Sequence, residues 1–484
     1  MSAKGEAVRR ERTASNRLFL PVLVSAVFVT VMTAMMVNVV LPAISNDFGV
    51  SEAGVGWVVT GFMLVMAIGI PLYGRISDFF SLRRLFSLAL LLYAAGSLFY
   101  ALSPNLAVLV FGRIVQATGN AAIPSLSTVA VARMLPSGER GGALGLIAFG
   151  IGVGTATGPF LGGVVEQFAG WHALFYGTLF LSLLLIPGAL YALPEGAPGG
   201  ERHFDLAGAI LLVSGTGLLL FGVTQGQVAG FASLSSWGSF LGAALAGSGF
   251  VWRITNAPHP FVSPALFENR AYVAAASVGS LSYLANVSMF IFIPLLVVEV
   301  NGLVPVEAGL VMTPAAIAFA ALSLLTGRLS DRIGVRLLVL SGLVVMELSV
   351  FFISTFVAGA SVVVVSAGML GVSTGFALVG PPATNAAANA LPEEEVGVGL
   401  GVFQGLFFLG GAVGPAVIGA FLAARKEAGS GAINPFYALN AAPFSDAFLA
   451  IVLVLILALA AALELRSGIK GDKESEQVQK GEAK

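Results

Sequence analysis

The stretch Gly145-Leu-Ile-Ala-Phe-Gly-Ile-Gly-Val-Gly-Thr-Ala-Thr-Gly-Pro-Phe-Leu-Gly-Gly163 decides the fold. Glycine stands at 145, 150, 152, 154, 158, 162 and 163, and Pro159 directly follows Gly158. In a soluble helix each interior glycine costs roughly 1 kcal/mol against alanine, and proline about 3. In a bilayer small residues let helix backbones approach closely, and neighbouring helices satisfy the groups that proline frees. The pattern returns 256 residues later, where Gly401, Gly410, Gly414, Pro415 and Gly419 match Gly145, Gly154, Gly158, Pro159 and Gly163. The lead-in repeats as well: Leu135-Pro136, Glu139 and Gly141 correspond to Leu391-Pro392, Glu395 and Gly397. The chain therefore reads as a duplicated membrane protein, with these two helices at equivalent places in the repeats.

Composition agrees. Of 484 residues 57% are apolar and 10% charged, and the mean hydropathy is +0.94. Soluble proteins carry about 25% charged residues. A net charge of −1 argues against a nucleic-acid partner. The absence of cysteine removes disulfides, thiol chemistry and Cys-based metal sites. His172, His203 and His259 all fall near predicted loops and assemble no metal or catalytic cluster. Neither a cofactor nor an enzyme activity is expected. No lysine stands between Lys4 and Lys426, so a G-x-x-x-x-G-K-[ST] phosphate loop is absent. Work done by this protein would draw on a gradient.

Residues 1–17 form a basic N-terminal tail with Lys4, Arg9, Arg10, Arg12 and Arg17. The apolar run that follows, 18–41, exceeds the 7–15 residues of a signal core and reads as a first span. A span needs about 20 apolar residues. On that basis fourteen are expected, at 18–41, 54–74, 85–102, 107–132, 143–167, 172–193, 206–223, 235–254, 271–297, 306–327, 337–357, 361–390, 398–424 and 444–465. Basic residues orient them. With both termini cytoplasmic, 21 of the 24 Lys and Arg fall inside, Arg113 lies within a span, and Arg425 and Lys426 fall outside. The expected order is six spans (18–193), linkers with an inserted hairpin (194–270), six spans (271–466), and a charged, disordered tail (467–484).

Two loops share a pattern. One reads Gly74-Arg75-Ile76-Ser77-Asp78-Phe79-Phe80-Ser81-Leu82-Arg83-Arg84, and the other Gly327-Arg328-Leu329-Ser330-Asp331-Arg332-Ile333-Gly334-Val335-Arg336. An aspartate at a helix end can meet the positive end of another helix or a nearby arginine, and such contacts suit a cytoplasmic gate. Alternatively, the basic residues Arg83, Arg84 and Arg332 only enforce topology. In span four, Arg113 and Asn120 are seven apart and share a helical face with Gln116 nearby. An arginine in mid-membrane costs at least about 2.5–3.5 kcal/mol, which favours a functional role over an inert, snorkelling one.

From these residues the chain resembles a major facilitator superfamily transporter of the fourteen-span drug:proton antiporter branch. The resemblance rests on the loop motif at Gly74–Arg84, the span-four signature at Arg113–Gln116, the antiporter motif at Gly145–Gly163 and the first-span Val37-Asn38-Val39-Val40-Leu41-Pro42. Asn46-Asp47-Phe48 and His203-Phe204-Asp205 also resemble tetracycline:cation antiporters of Gram-positive bacteria. It departs where relatives carry acids: Thr33 and Ala34 stand at the first-span positions, and Thr155 within the antiporter motif. Ala117 replaces a glycine after Gln116, and Phe79 and Ser81 replace a basic residue and a glycine.

The carboxylate nearest the centre of a predicted span is Glu347. It reads either as a proton site or as a neutral, hydrogen-bonded packing residue. Glu166, Glu299 and Asp446 fall near span ends and read as solvated. By the fold's logic, cavity candidates are Asn38, Asn120, Thr155, Tyr283, Asn286, Asn385 and Gln404, with Phe403 and Phe407. The expected fold is all-helical, two pseudo-symmetric six-helix bundles plus a hairpin. The expected function is export of hydrophobic or amphipathic small molecules across a bacterial plasma membrane by a monomer exchanging protons through rocking of the bundles. Translocation of a lipid, or import of a nutrient, are the alternatives.

Overall fold

The computed structural model describes residues 3–50, 52–195, 204–429 and 431–465. Side chains of 3–17, 38, 42, 52–57, 59–60, 227–229, 305–306 and 393 lie outside that description, as do His203, most of the 194–204 linker and the tail expected at 467–484.

Long helices follow from the apolar runs: α1 (Ala3–Phe48), α2 (Glu52–Ile76), α3 (Leu82–Ala101), α4 (Leu106–Met134), α5 (Ser137–Ala169), α6 (Trp171–Ala192), α7 (Leu206–Ala229), α8 (Leu234–Asn256), the short α9 (Ala265–Glu268), α10 (Arg270–Glu299), α11 (Pro305–Ile333), α12 (Val335–Phe352), α13 (Val362–Asn389), α14 (Val396–Ala428) and α15 (Ala442–Ala462). A π-helical turn, Ile353–Val357, extends α12. No strand occurs among the described residues. Polar side chains start several helices by accepting free backbone N–H groups. Asp205 takes Gly208 N at 3.0 Å, and Asn269 takes Ala271 N and Tyr272 N at 3.1 and 3.2 Å. Gly334, at φ 88°, makes the sharp break between α11 and α12.

Among the described residues twelve helices, not fourteen, are long and apolar enough to cross a membrane. The two that fall short are α2, whose apolar portion there is Gly61–Ile76, and α8. Serines at 235, 236, 239 and 248 and glycines at 238, 242, 247 and 249 dilute α8.

The chain divides into two compact units that cross the sequence repeats. One holds Met1–Met134, Gly150–Val262 and Glu393–Gly405; the other holds Leu135–Phe149, Ser263–Pro392 and Leu406–Lys484. Each unit thus contains the opening turns of the glycine-rich helix whose remainder belongs to the other. In the first unit α3 packs on α4 and α6, α4 on α2, and α7 on α8. Its core gathers Met32, Met36, Val40, Tyr100, Trp171 and Phe175. In the second, α13 packs against α10, α11 and α12, and α15 lies on α10 and α12.

The glycines of α5 face α1 at very close range. A Cβ at Gly154 would sit 3.0 Å from the Phe28 carbonyl oxygen, and one at Gly158 would sit 2.7 Å from that of Met32. At Gly162 it would lie 3.1 Å from Met36 Cα, whereas at Gly163 the nearest atom is 4.0 Å away. In the second unit Gly410 and Gly414 bring α14 equally close to Ser280 and Leu284 of α10.

Candidate functional site

The first cluster forms where α2 ends. Ser77 and Asp78 follow Ile76 in a tight turn, with the Ser77 hydroxyl donating to the Gly74 carbonyl at 2.6 Å. The Asp78 carboxylate accepts from Arg133 Nη2 at 2.6 Å, from Arg75 Nη1 at 3.4 Å, and from the Val398 N–H at 3.1 Å. Val398 lies in the first turn of α14, where backbone donors lack intrahelical partners and the helix dipole is positive. Gly74 permits this approach: a Cβ there would collide with Gly401 and the Gly397 carbonyl. Burial pushes the Asp78 carboxyl up to about 6 from its usual 3.8, against the lowering influence of Arg133, Arg75 and the Val398 N–H.

The second cluster has the same design. Asp331 accepts from the N–H groups of Gly141 and Gly142, at 2.9 and 2.8 Å, near the start of α5. Asn385 also donates to it, at 3.3 Å. Gly145 and Gly327 touch backbone to backbone, since a Cβ on Gly145 would lie 2.9 Å from Gly327 Cα. Asn385, expected in the cavity, is thus a ligand of this aspartate.

The expected arginines lie elsewhere. Arg83 pairs with Glu195 at 3.2 Å on an exposed surface, and Arg84 and Arg332 are exposed. Arg133 is the partner that sequence reading missed; a basic residue at a span end looks topogenic. Its repeat equivalent, 256 residues on, is Asn389, which donates to Asn385 at 3.3 Å.

Within the first unit Arg113 is 3% exposed and makes no ion pair among the described residues. Its Nη1 donates to Gln116 Oε1 at 2.5 Å, Gln116 Nε2 donates to Ser97 Oγ at 2.8 Å, and its guanidinium sits 3.9 Å from the Phe62 ring centroid. Arg113 Nε and the Tyr100 hydroxyl are buried with no hydrogen-bond partner among the described residues. Asn120, 5% exposed, has no hydrogen-bond partner among the described residues. Thr155 turns its hydroxyl to the Ile151 carbonyl at 2.9 Å, and Gln404 Nε2 donates to Thr128 Oγ1 at 2.5 Å. The side chain of Asn38 lies outside the described residues.

In the second unit Tyr283 stacks on Phe407, with ring centroids 4.1 Å apart. Glu347 is half-buried beside the exposed Val344 and Leu348 and has no hydrogen-bond or ion-pair partner among the described residues. Asp446, expected to be solvated, is 1% exposed. Arg425 Nη2 lies 2.7 Å from it, and the Ile433 and Asn434 N–H groups donate to it at 2.7 and 3.4 Å. The last turn of α14 supplies Arg425, and the loop before α15 supplies the two N–H groups. Among the described residues no group of three or more His, Cys, Asp or Glu could hold a metal ion.

Paired helix-end clamps, glycine-seated helix crossings and a buried arginine mark a duplicated helical bundle. The profile of the Major Facilitator Superfamily matches residues 23–415 and 275–481, and the chain belongs to that family. It is a multi-pass membrane transporter of small molecules, not an enzyme. The Multidrug resistance protein Stp of Mycobacterium tuberculosis is 31% identical over 407 residues, covering 83% of this chain and 75% of that protein. The Lincomycin resistance protein LmrB of Listeria monocytogenes is 27% identical, covering 87% and 90%. The Tetracenomycin C resistance and export protein of Streptomyces glaucescens is 26% identical, covering 82% and 74%. The human organic anion transporter MFSD10 shares the fold, with a TM-score of 0.69 at 17% identity, covering 92% of this chain and 99% of that one.

Proposed function

We propose that this protein exports hydrophobic or amphipathic small molecules by proton antiport, with alternating access controlled at Asp78 and Asp331. The observation that carries this reading is the pair of clamps, each holding the start of the other repeat's glycine-rich helix through backbone N–H groups. Such bonds break without unfolding a helix, which a gate requires. The names of the bacterial relatives support a drug-like substrate, and the scarcity of charge among Asn120, Thr155, Tyr283, Asn286 and Gln404 supports a weakly charged one. In this reading α2 and α8 complete fourteen spans, and the basic residues place both termini and both clamps on the cytoplasmic side. The protein acts as a monomer in a bacterial plasma membrane. Expression in an exporter-deficient strain should raise tolerance to several apolar dyes and antibiotics; unchanged tolerance across a broad panel, with the protein present in the membrane, would refute export.

Proton binding at Asp78, at the membrane edge, sets in this reading how readily the cytoplasmic clamp closes. A carboxyl raised from 3.8 to about 6 binds its proton more tightly in the clamp than in solvent. The clamp is therefore favoured in acid and weakens by up to about 3 kcal/mol as pH rises from about 4 to about 6. Spin labels at Phe80 and Glu394 should report a clamped population that falls over that range. A population flat from pH 4 to 8 would contradict the assignment.

Glu347, facing the fringe of the exposed surface of α12, is then dispensable. Glu347→Gln should retain wild-type uphill export in proteoliposomes. Loss of uphill export with downhill exchange intact would move the coupling to Glu347.

A further inference from the structure

Four helices of the second unit contribute rings with nearly parallel planes. Phe319 of α11 and Phe376 of α13 lie 5.5 Å apart at 23°, Phe376 and Tyr283 of α10 lie 5.9 Å apart at 29°, and Tyr283 and Phe407 of α14 lie 4.1 Å apart at 18°. Phe408 closes one end edge-on, at 76° to Tyr283 and 72° to Phe407. Near-parallel planes at these spacings are offset stacking, the packing aromatic pairs favour, and Phe376 also lies 6.3 Å from Phe407 at 34°, so the rings form one cluster.

The backbone is shaped to hold it. A Cβ on Gly411 would lie 2.5 Å from Tyr283 Cε1, so the glycine is what lets the ring lie flat against α14. Gly410 and Gly414, flanking it, bring α14 close enough to α10 for Phe407 to reach the other face. Phe319, Tyr283 and Phe407 remain partly exposed. Two polar groups accompany them on one face of α10, since residues three apart are neighbours on a helix. Among the described residues neither the Tyr283 hydroxyl nor the amide of Asn286 has a hydrogen-bond partner, although Asn286 is only 8% exposed. Buried polar groups are ordinarily satisfied, and two left open beside a set of ring faces mark a place for a ligand's own polar atoms.

We infer that this surface is a binding shelf for planar, fused-ring compounds carrying a carbonyl or similar acceptor at the ring edge. It is a shelf and not a slot. A ring inserted between two others needs about 7 Å, two contacts of about 3.5 Å, and the centroid spacings here are shorter. The ligand lies on the exposed ring faces and takes hydrogen bonds from Tyr283 Oη and Asn286 Nδ2. This rests on the export reading only in making the shelf part of the substrate path.

The test is equilibrium binding to the full-length protein in detergent, with two neutral probes: acridone, planar and tricyclic with a ring carbonyl, and 1-adamantyl methyl ketone, a saturated cage with the same acceptor. Wild type should bind acridone the more tightly. Phe407→Leu should weaken acridone about 2- to 12-fold and leave the cage ketone within about twofold. Tyr283→Phe, which keeps the ring and removes only the hydroxyl, should weaken acridone by a similar factor and gives a second reading if the first variant folds poorly. Equal losses for both probes, acridone binding unchanged in both variants, or no acridone binding by wild type would each overturn the shelf. Planar-selective binding by a protein that moves no probe across vesicles would instead remove the export reading and leave the shelf standing.

Discussion

Asp78→Asn should insert and fold normally yet lower export at pH 7 by roughly ten- to a hundredfold. Asparagine has the size of the protonated carboxyl and keeps one acceptor oxygen, with an NH2 in place of the other, but cannot ionise. In the proposed cycle, ionisation of Asp78, whose carboxyl burial raises to about 6, relaxes the clamp formed by Arg133, Arg75 and the Val398 N–H. Without that release, worth up to about 3 kcal/mol, α14 stays held at every pH. The variant should therefore lose both turnover and the pH dependence of the labelled clamp. Asp78→Ala, which removes the acceptor, should also impair export, but with the clamp open. Wild-type export by the asparagine variant at matched expression would remove Asp78 from the gate.

Gly158→Leu should abolish most export while leaving insertion intact. A Cβ at this position already lies 2.7 Å from the Met32 carbonyl oxygen and from Met35 Cβ, and a backbone carbonyl cannot step aside as a flexible side chain would. Leucine forces α5 off α1, at a cost of about 1–3 kcal/mol for overpacking. Gly163→Ala supplies the contrast, because its nearest neighbour is 4.0 Å away and the change should be almost silent. Equal transport by Gly158→Leu and wild type would mean that close approach is not what this glycine provides. Equal damage from both substitutions would point to glycine content and not to geometry.

The helix crossings could be read from the sequence because lipid leaves glycine as the plain means of bringing backbones together. Gly154, Gly158, Gly410 and Gly414 recur at a fixed offset; a Cβ would collide at Gly158, Gly410 and Gly414 and would be tight at Gly154. Asp78 and Asp331 were visible for a related reason, since a carboxylate repeated at a helix end calls for a positive partner. The identity of the partner was not visible. Arg133 sits 55 residues from Asp78 and looks like any basic residue at a span end, whereas Arg83 and Arg84 share the aspartate's loop. Asp446 was misjudged as solvated because its donors are Arg425, at the end of α14, and Ile433 and Asn434, from a loop that no periodicity describes. The count of spans faltered at α8, whose serines and glycines leave the expected span at 235–254 outside the twelve helices apolar enough to cross a membrane among the described residues. Ser239 and Ser248 return their hydroxyls to carbonyls one turn back, at 2.6 and 2.8 Å. The aromatic shelf had no signature at all, since its rings come from four helices spread over more than a hundred residues.

Proton-driven accumulation in reconstituted vesicles tests the central claim most directly. Proteoliposomes sorted for inverted orientation would be loaded with acidic buffer, diluted into neutral medium, and supplied with ethidium outside. The account predicts uptake against the ethidium gradient that stops when the pH gradient is collapsed and that falls at least tenfold in Asp78→Asn. Uptake by wild type that is indifferent to the pH gradient, or equal in the variant, would contradict it.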